Sequence, residues 1–125
     1  MPVAANEVGR GSADDVVVGR TGLGLEVDVD GRHPIFFDHL LDHIPGVALI
    51  EACKQALCLE LGDPAAELRD YEAEFLRVVE FDIPAVISAD VTGANANFTV
   101  YQRGVASMVA SAKISSSAGA AVQAR

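Results

Sequence analysis

The stretch "PGVALIEACKQALCLELG", residues 45–62, constrains this chain more than any other. Proline suits the first turn of a helix, Gly62 suits the position just past its end, and Asp63-Pro64 disfavours continuation. The spacing therefore predicts a helix from Pro45 to about Leu61, about 25 Å long. Val47, Ala48, Leu49, Ile50, Ala52, Cys53, Ala56, Leu57, Cys58 and Leu59 cover most of its circumference. An ordinary surface helix carries one apolar stripe, so this helix has to be enclosed.

The rest of the chain supplies an enclosure. In "GLGLEVDVD", Leu23, Leu25, Val27 and Val29 alternate with Gly or acid, the period of a half-buried strand, and "DVVVGR" before it reads the same way. Residues 31–44 lack a clean period and read as a loop leading into the helix. "YEAEFLRVVEF" reads as a strand up to the break at Pro84, and "AVISADVT", "NFTVYQR" and "VASMVASAKI" as three antiparallel strands joined by Gly-Ala-Asn-Ala and Arg-Gly turns. The order of elements predicts an α+β domain in which an antiparallel sheet wraps one long helix. With 125 residues and no internal repeat, the expectation is a single domain over 1–125. Residues 1–13 read as an arm, ordered or frayed, and the tail over 115–125 reads alike.

Nine Lys and Arg stand against eighteen Asp and Glu, a formal charge of −9. That field repels phosphate backbones and anionic lipid, which argues against nucleic acid and membrane partners. No apolar run approaches the roughly 18–20 residues that span a bilayer, and the start lacks a secretory h-region, so the expectation is a soluble cytoplasmic protein. Cys53 and Cys58, five apart on the helix, are poorly placed for a disulfide and read as reduced core thiols.

Two polar features stand out against this background. Glu51, Lys54 and Gln55 share one stripe of the helix, while Glu60 points the other way. A solvated stripe with a Glu51–Lys54 ion pair is one reading; a seam facing a pocket, where a buried carboxylate demands a partner or a task, is the other. The second feature is "FFDHLLDHIPG", which sets Asp38-His39 and Asp42-His43 just before the helix. Each His has an ordinary role as a hydrogen-bonding group, and Asp42 suits an N-terminal cap. His33, His39 and His43 lack a His-Glu-x-x-His frame, so neither metal nor cofactor is expected. The backbone at Pro45-Gly46 is expected to offer donors to an oxyanion, and Gly46 to admit close approach.

"PGVALIEACKQA" resembles the central-helix signature of hotdog-fold acyl-thioester proteins such as the 3-hydroxyacyl carrier-protein dehydratases, with a departure: fourteen residues before Glu51 stands Phe37, and the nearest His is His39. The longer string "VDVDGRHPIFFDHLLDHIPGVALIEACKQA" is similar to the A-factor biosynthesis (AfsA-like) hotdog family, whose pattern is His-Pro-x-x-Phe-Asp-His-x-x-Asp-His-x-Pro-Gly before Glu-Ala-x-Arg-Gln. "VGRGSADDVVV" upstream is similar to the segment that opens the second hotdog repeat of those proteins. The resemblance implies transfer of a beta-ketoacyl group, from an acyl-carrier-protein or CoA thioester, to dihydroxyacetone phosphate, toward gamma-butyrolactone signals. It implies Glu51 as the helix acid or base; with it, His39 is the other expected catalytic residue, and Lys54, Gly46, Val47, Gln55, His43, Asp42 and Arg32 are the expected substrate-binding residues.

Lys54 stands where the family usually has Arg, and a lysine lacks the bidentate fork of a guanidinium. Family members usually carry two hotdog repeats and this chain carries one, so a homodimer is expected to supply the second. Lys54, Arg32, Arg77 and Arg103 are the cations considered for a phosphate, and sequence does not choose among them. Two other functions fit the same residues: a hotdog thioesterase or dehydratase, and a non-catalytic acyl-binding domain.

Overall fold

The computed structural model describes residues 3–29 and 43–116. Strands β1 (Val18–Thr21), β2 (Gly24–Val27), β6 (Ala85–Thr92), β7 (Asn95–Gln102), β8 (Val105–Ser115) and β4 (Glu67–Phe75) form a six-stranded sheet in the order β1-β2-β6-β7-β8-β4. Every neighbouring pair is antiparallel. A separate ribbon pairs β3 (His43–Ile44) with β5 (Val79–Glu80).

Helix α1 runs from Gly46 to Leu61. Pro45 stands just before it with extended backbone, and Gly62 ends it in the left-handed region at φ 62°. There the Gly62 and Asp63 amides return to the carbonyls of Leu59 and Cys58, the paired bonds of a Schellman ending. Ala48, Leu49, Ala52, Cys53, Ala56, Leu57 and Cys58 are all buried, in one core with Ile87, Phe98, Val100 and Met108 of the sheet. The enclosure demanded by the helix composition is what the chain builds. Small residues on the helix let the sheet approach it closely, and the larger Phe98, Leu57 and Met108 fill the space between.

Along β7 burial alternates, with Ala96, Phe98, Val100 and Gln102 inside. The turns follow from local chemistry. Arg103 and Gly104 both have positive φ, 53° and 75°, the pair of values a two-residue hairpin with right-handed strand twist requires.

Several boundaries differ from the sequence expectation, among them the turn read as Gly-Ala-Asn-Ala, of which only Gly93 and Ala94 lie between the strands. The strand read as beginning at Tyr71 starts at Glu67, and a bulge between Arg69 and Glu72 absorbs the polar run "RDY" with Asp70 at φ 43°. The same strand, expected to continue to Pro84, stops at Phe75. A second bulge lies in β8, where Val100 pairs with Met108 but Tyr101 pairs with Ala106. It leaves the Ser107 carbonyl free to accept from both the Leu76 amide (2.8 Å) and the Arg77 amide (3.1 Å). The chain turns off the sheet there, and Val79–Glu80 pairs instead with His43–Ile44, at the end of the stretch read as loop. Gln102 fixes the departure: its amide nitrogen donates to the carbonyls of Glu80 and Ile83, and its oxygen accepts from the Glu80 amide.

The N-terminal arm is ordered over its described residues. Ala5–Val8 forms a 3-10 turn against α1, with Val3 and Val8 buried.

Candidate functional site

The polar stripe of α1 faces this arm. Lys54, 6% exposed, donates from Nζ to the Val8 carbonyl at 3.0 Å. Fully buried Gln55 accepts from the Val17 amide (2.9 Å) and donates to the Asp15 carbonyl (2.8 Å). Arg10 lays its guanidinium along Glu51, with Nε to Oε2 at 2.8 Å and Nη2 to Oε1 at 2.6 Å, and Gln55 adds a third bond to Oε2 at 2.6 Å. The carboxylate raises the Arg10 pKa further above the ordinary range by accepting from it. The Glu51–Lys54 ion pair considered from spacing is replaced: Glu51 pairs with Arg10, and Lys54 binds a carbonyl oxygen rather than a carboxylate. Four backbone or side-chain groups between residues 8 and 17 are thus tied to three side chains spaced along one helical stripe.

Gly9 makes the docking possible. It sits at φ 70°, and a Cβ there would lie 2.2 Å from the Pro64 carbonyl oxygen, so only glycine lets the arm pass.

A cavity of about 500 Å³ opens at the start of α1. Gly46 and Leu49 line it from the helix, His43 from β3, and Phe75, Arg77 and Val79 from the segment that leaves the sheet. Glu51 is not in this lining; it stands about 200° around the helix from Leu49. Among the described residues, then, the expected site residues fall into two groups, His43 and Gly46 at the cavity and Glu51, Lys54 and Gln55 under the arm. Val47 is exposed beside Gly46. His39, Asp42 and Arg32 lie outside the described residues.

At the helix start Pro45 has no N–H, so the available donors are the amides of Gly46 and Val47; the first bonds inside the helix come from Ala48 and Leu49, both to the Pro45 carbonyl. The close approach expected at Gly46 is made by Phe75, whose ring would lie 2.9 Å from a Cβ on that glycine. Cys53 is no nucleophile here, since burial pushes its thiol up to about 12, and Cys58, also raised by burial, points its sulfur toward the Pro64 and Ala66 carbonyls.

Arg10 and Phe75 were not among the sequence candidates. For Arg10 a signal existed, the "VGRGSADDVVV" similarity, but nothing in spacing links residue 10 to residue 51. Phe75 sits in an ordinary-looking strand, and only the departure of the chain at Leu76 brings its ring over the helix.

The family profile described as A-factor biosynthesis hotdog domain (AfsA) matches residues 1–122. Over 92 residues, 72% of this chain, the sequence is 41% identical to a 2-oxo-3-(phosphooxy)propyl 3-oxoalkanoate synthase of Streptomyces griseus. It is 38% identical over 94 residues to the protein of the same name from Streptomyces virginiae, and 37% over 92 residues to that of Streptomyces coelicolor, in each case over 72% of this chain. The chain spans less than a third of the length of these curated relatives, 31% for the first two and 29% for the last. Among solved structures it is similar to a thioesterase from Thermus thermophilus complexed with coenzyme A and Zn, with a TM-score of 0.51 at 14% identity, covering 80% of this chain and 93% of that one. That likeness is one of fold: a single helix held in a large antiparallel sheet, the hotdog arrangement.

Proposed function

Because this chain belongs to the A-factor biosynthesis hotdog domain family, we propose that it serves acyl transfer, joining a beta-ketoacyl group from an acyl-carrier-protein or CoA thioester to the hydroxyl of dihydroxyacetone phosphate. One observation supports siting the reaction at the start of α1: a largely apolar cavity is lined by Gly46, the first residue of the helix, whose amide makes no hydrogen bond to the described residues. In such a reaction the acceptor oxygen adds to the thioester carbon, the carbon–sulfur bond breaks, and the hydroxyl proton passes through a base to the departing thiolate. Negative charge gathers on the carbonyl oxygen meanwhile, and preorganised amides stabilise it. Leu49 and Val79 offer the acyl chain an apolar wall, and the Phe75 ring has to swing from Gly46 for the thioester to reach the amides.

His39 is the base in this reading, by family pattern. Glu51 is engaged with the arm, its two oxygens accepting from Arg10 and Gln55. The reading includes a homodimer and a cytoplasmic setting; two cysteines that stay free fit a reducing compartment.

The test is incubation with a beta-ketoacyl thioester, with and without dihydroxyacetone phosphate, followed by mass spectrometry. The ester is expected only with the acceptor present. Thioester loss without the acceptor points to hydrolysis and overturns the transferase reading.

A further inference from the structure

We propose that Arg77 is a phosphate-binding residue at the cavity, recognising the phosphorylated part of the substrate that enters it. Which phosphate that is rests on the acyl-transfer reading; phosphate binding itself does not.

Charge distribution carries the first part of the argument. Among the described residues no acid lines this cavity, and the only ionisable side chains in its lining are Arg77 and His43. The larger groove on the sheet, about 610 Å³, is lined instead by Glu72 and Glu74 and suits no anion. In a molecule of charge −9, a described lining with a cation and no acid is a place where an anion meets less repulsion than elsewhere on the surface.

The second part is the state of the cations. Arg10 is taken by Glu51, Arg20 by Glu7, Lys54 by the Val8 carbonyl and Arg69 by the Ser115 hydroxyl. The Arg77 guanidinium is exposed and makes no hydrogen bond or ion pair with a described residue. Arg103 belongs to the β7–β8 turn and is not in the lining. Of the undecided cations among the described residues, Lys54, Arg77 and Arg103, the fold therefore brings Arg77 to the cavity and spends Lys54 elsewhere.

The third part is rigidity. Arg77 is rooted by its own amide on the Ser107 carbonyl, beside the Leu76 amide on the same oxygen, so a flexible side chain starts from a fixed point. Its neighbours Leu76 and Val78 are apolar and add no competing polar side chain. A guanidinium offers a phosphate two parallel donors, a geometry that a lysine cannot reproduce.

The experiment is a titration of the isotope-labelled protein, followed by NMR shifts at about 0.15 M salt. The probes are glycerol 3-phosphate, coenzyme A and, as the uncharged control, glycerol. The wild type is expected to bind at least one phosphorylated probe and not glycerol. Arg77→Gln should weaken that binding by about tenfold or more, Arg77→Lys should fall between, and Arg103→Gln should match the wild type. Preference for glycerol 3-phosphate assigns the phosphate to the acceptor, and preference for coenzyme A assigns it to the thioester carrier. Since the side chain has no described partner, Arg77→Gln should keep the wild-type melting temperature. Binding unchanged in Arg77→Gln, an equal loss in Arg103→Gln, or no binding of either phosphorylated probe overturns the proposal. Failure of ester formation in the transfer assay would leave this titration unaffected, so the two readings fail separately.

Discussion

Glu51 and Arg10 are forty-one residues apart, and their contact gives a structural partner to a side chain that looked catalytic from its place on the helix. The pair is bidentate and half sheltered, with side-chain exposures of 19% and 32%. Between the near-zero worth of a surface pair and the several kcal/mol at stake in a buried one, we expect a coupling of about 1–2 kcal/mol. A double-mutant cycle of Arg10→Gln and Glu51→Gln in urea measures it. If the carboxylate works mainly by holding the arm, either single change costs that stability and any activity falls to the same extent in both. A Glu51→Gln protein that loses about 10²-fold in turnover while Arg10→Gln loses none, at equal stability, would restore Glu51 to the chemistry.

At the scale of elements, the arm and the helix form one unit through Lys54, Gln55 and Glu51, and Gly9 is its narrowest point. Gly9→Ala places a methyl group against the Pro64 carbonyl and demands a left-handed backbone of a residue that resists it. The arm should undock, and trypsin should then cut after Arg10 several-fold faster than in the wild type, with the remaining core resistant. Equal cleavage rates would show that the arm is not held as described. This unit was only partly legible in the sequence. The helix declared itself by its apolar circumference and its Pro and Gly ends, and the β6–β7–β8 meander by alternation and turn residues, because those signals are local. The helix stripe was visible as polar, but its partners were not: an arm of small and polar residues gives no periodicity, and a carbonyl accepting from Lys54 leaves no mark in composition. The end of β4 was illegible for a similar reason. It is set by a bulge far along the chain, at Ser107, and "LRVV" has as good a strand pattern as what precedes it.

At the scale of the whole molecule, the sheet of the described residues is edged by β1 and β4, and β4 is the longer at nine residues. Tyr71 and Phe75 on it are about half exposed, and Leu76, Val78 and Val47 continue the apolar surface toward the cavity. A long edge with exposed apolar groups favours pairing, so the expected state is a dimer through β4 with a continuous sheet. Light scattering at tens of micromolar should then give about twice the 13.1 kDa of one chain. Tyr71→Lys, which puts a charge on the edge, should shift it toward the monomer; a monomeric wild type would sink the expectation.

The tight turns of the meander also decide the order in which the chain can assemble. Strands β6, β7 and β8 are contiguous from Ala85 to Ser115 and joined by two-residue turns, so bringing them together closes only short loops. Docking the arm on α1 closes separations of 38 to 46 residues, and pairing β4 with β8 closes up to 48. Loop-closure entropy ranks these steps, with the meander as the cheapest nucleus and the arm among the last parts to settle. The contacts that complete the helix stripe are therefore the ones the native state can surrender first without unfolding its sheet.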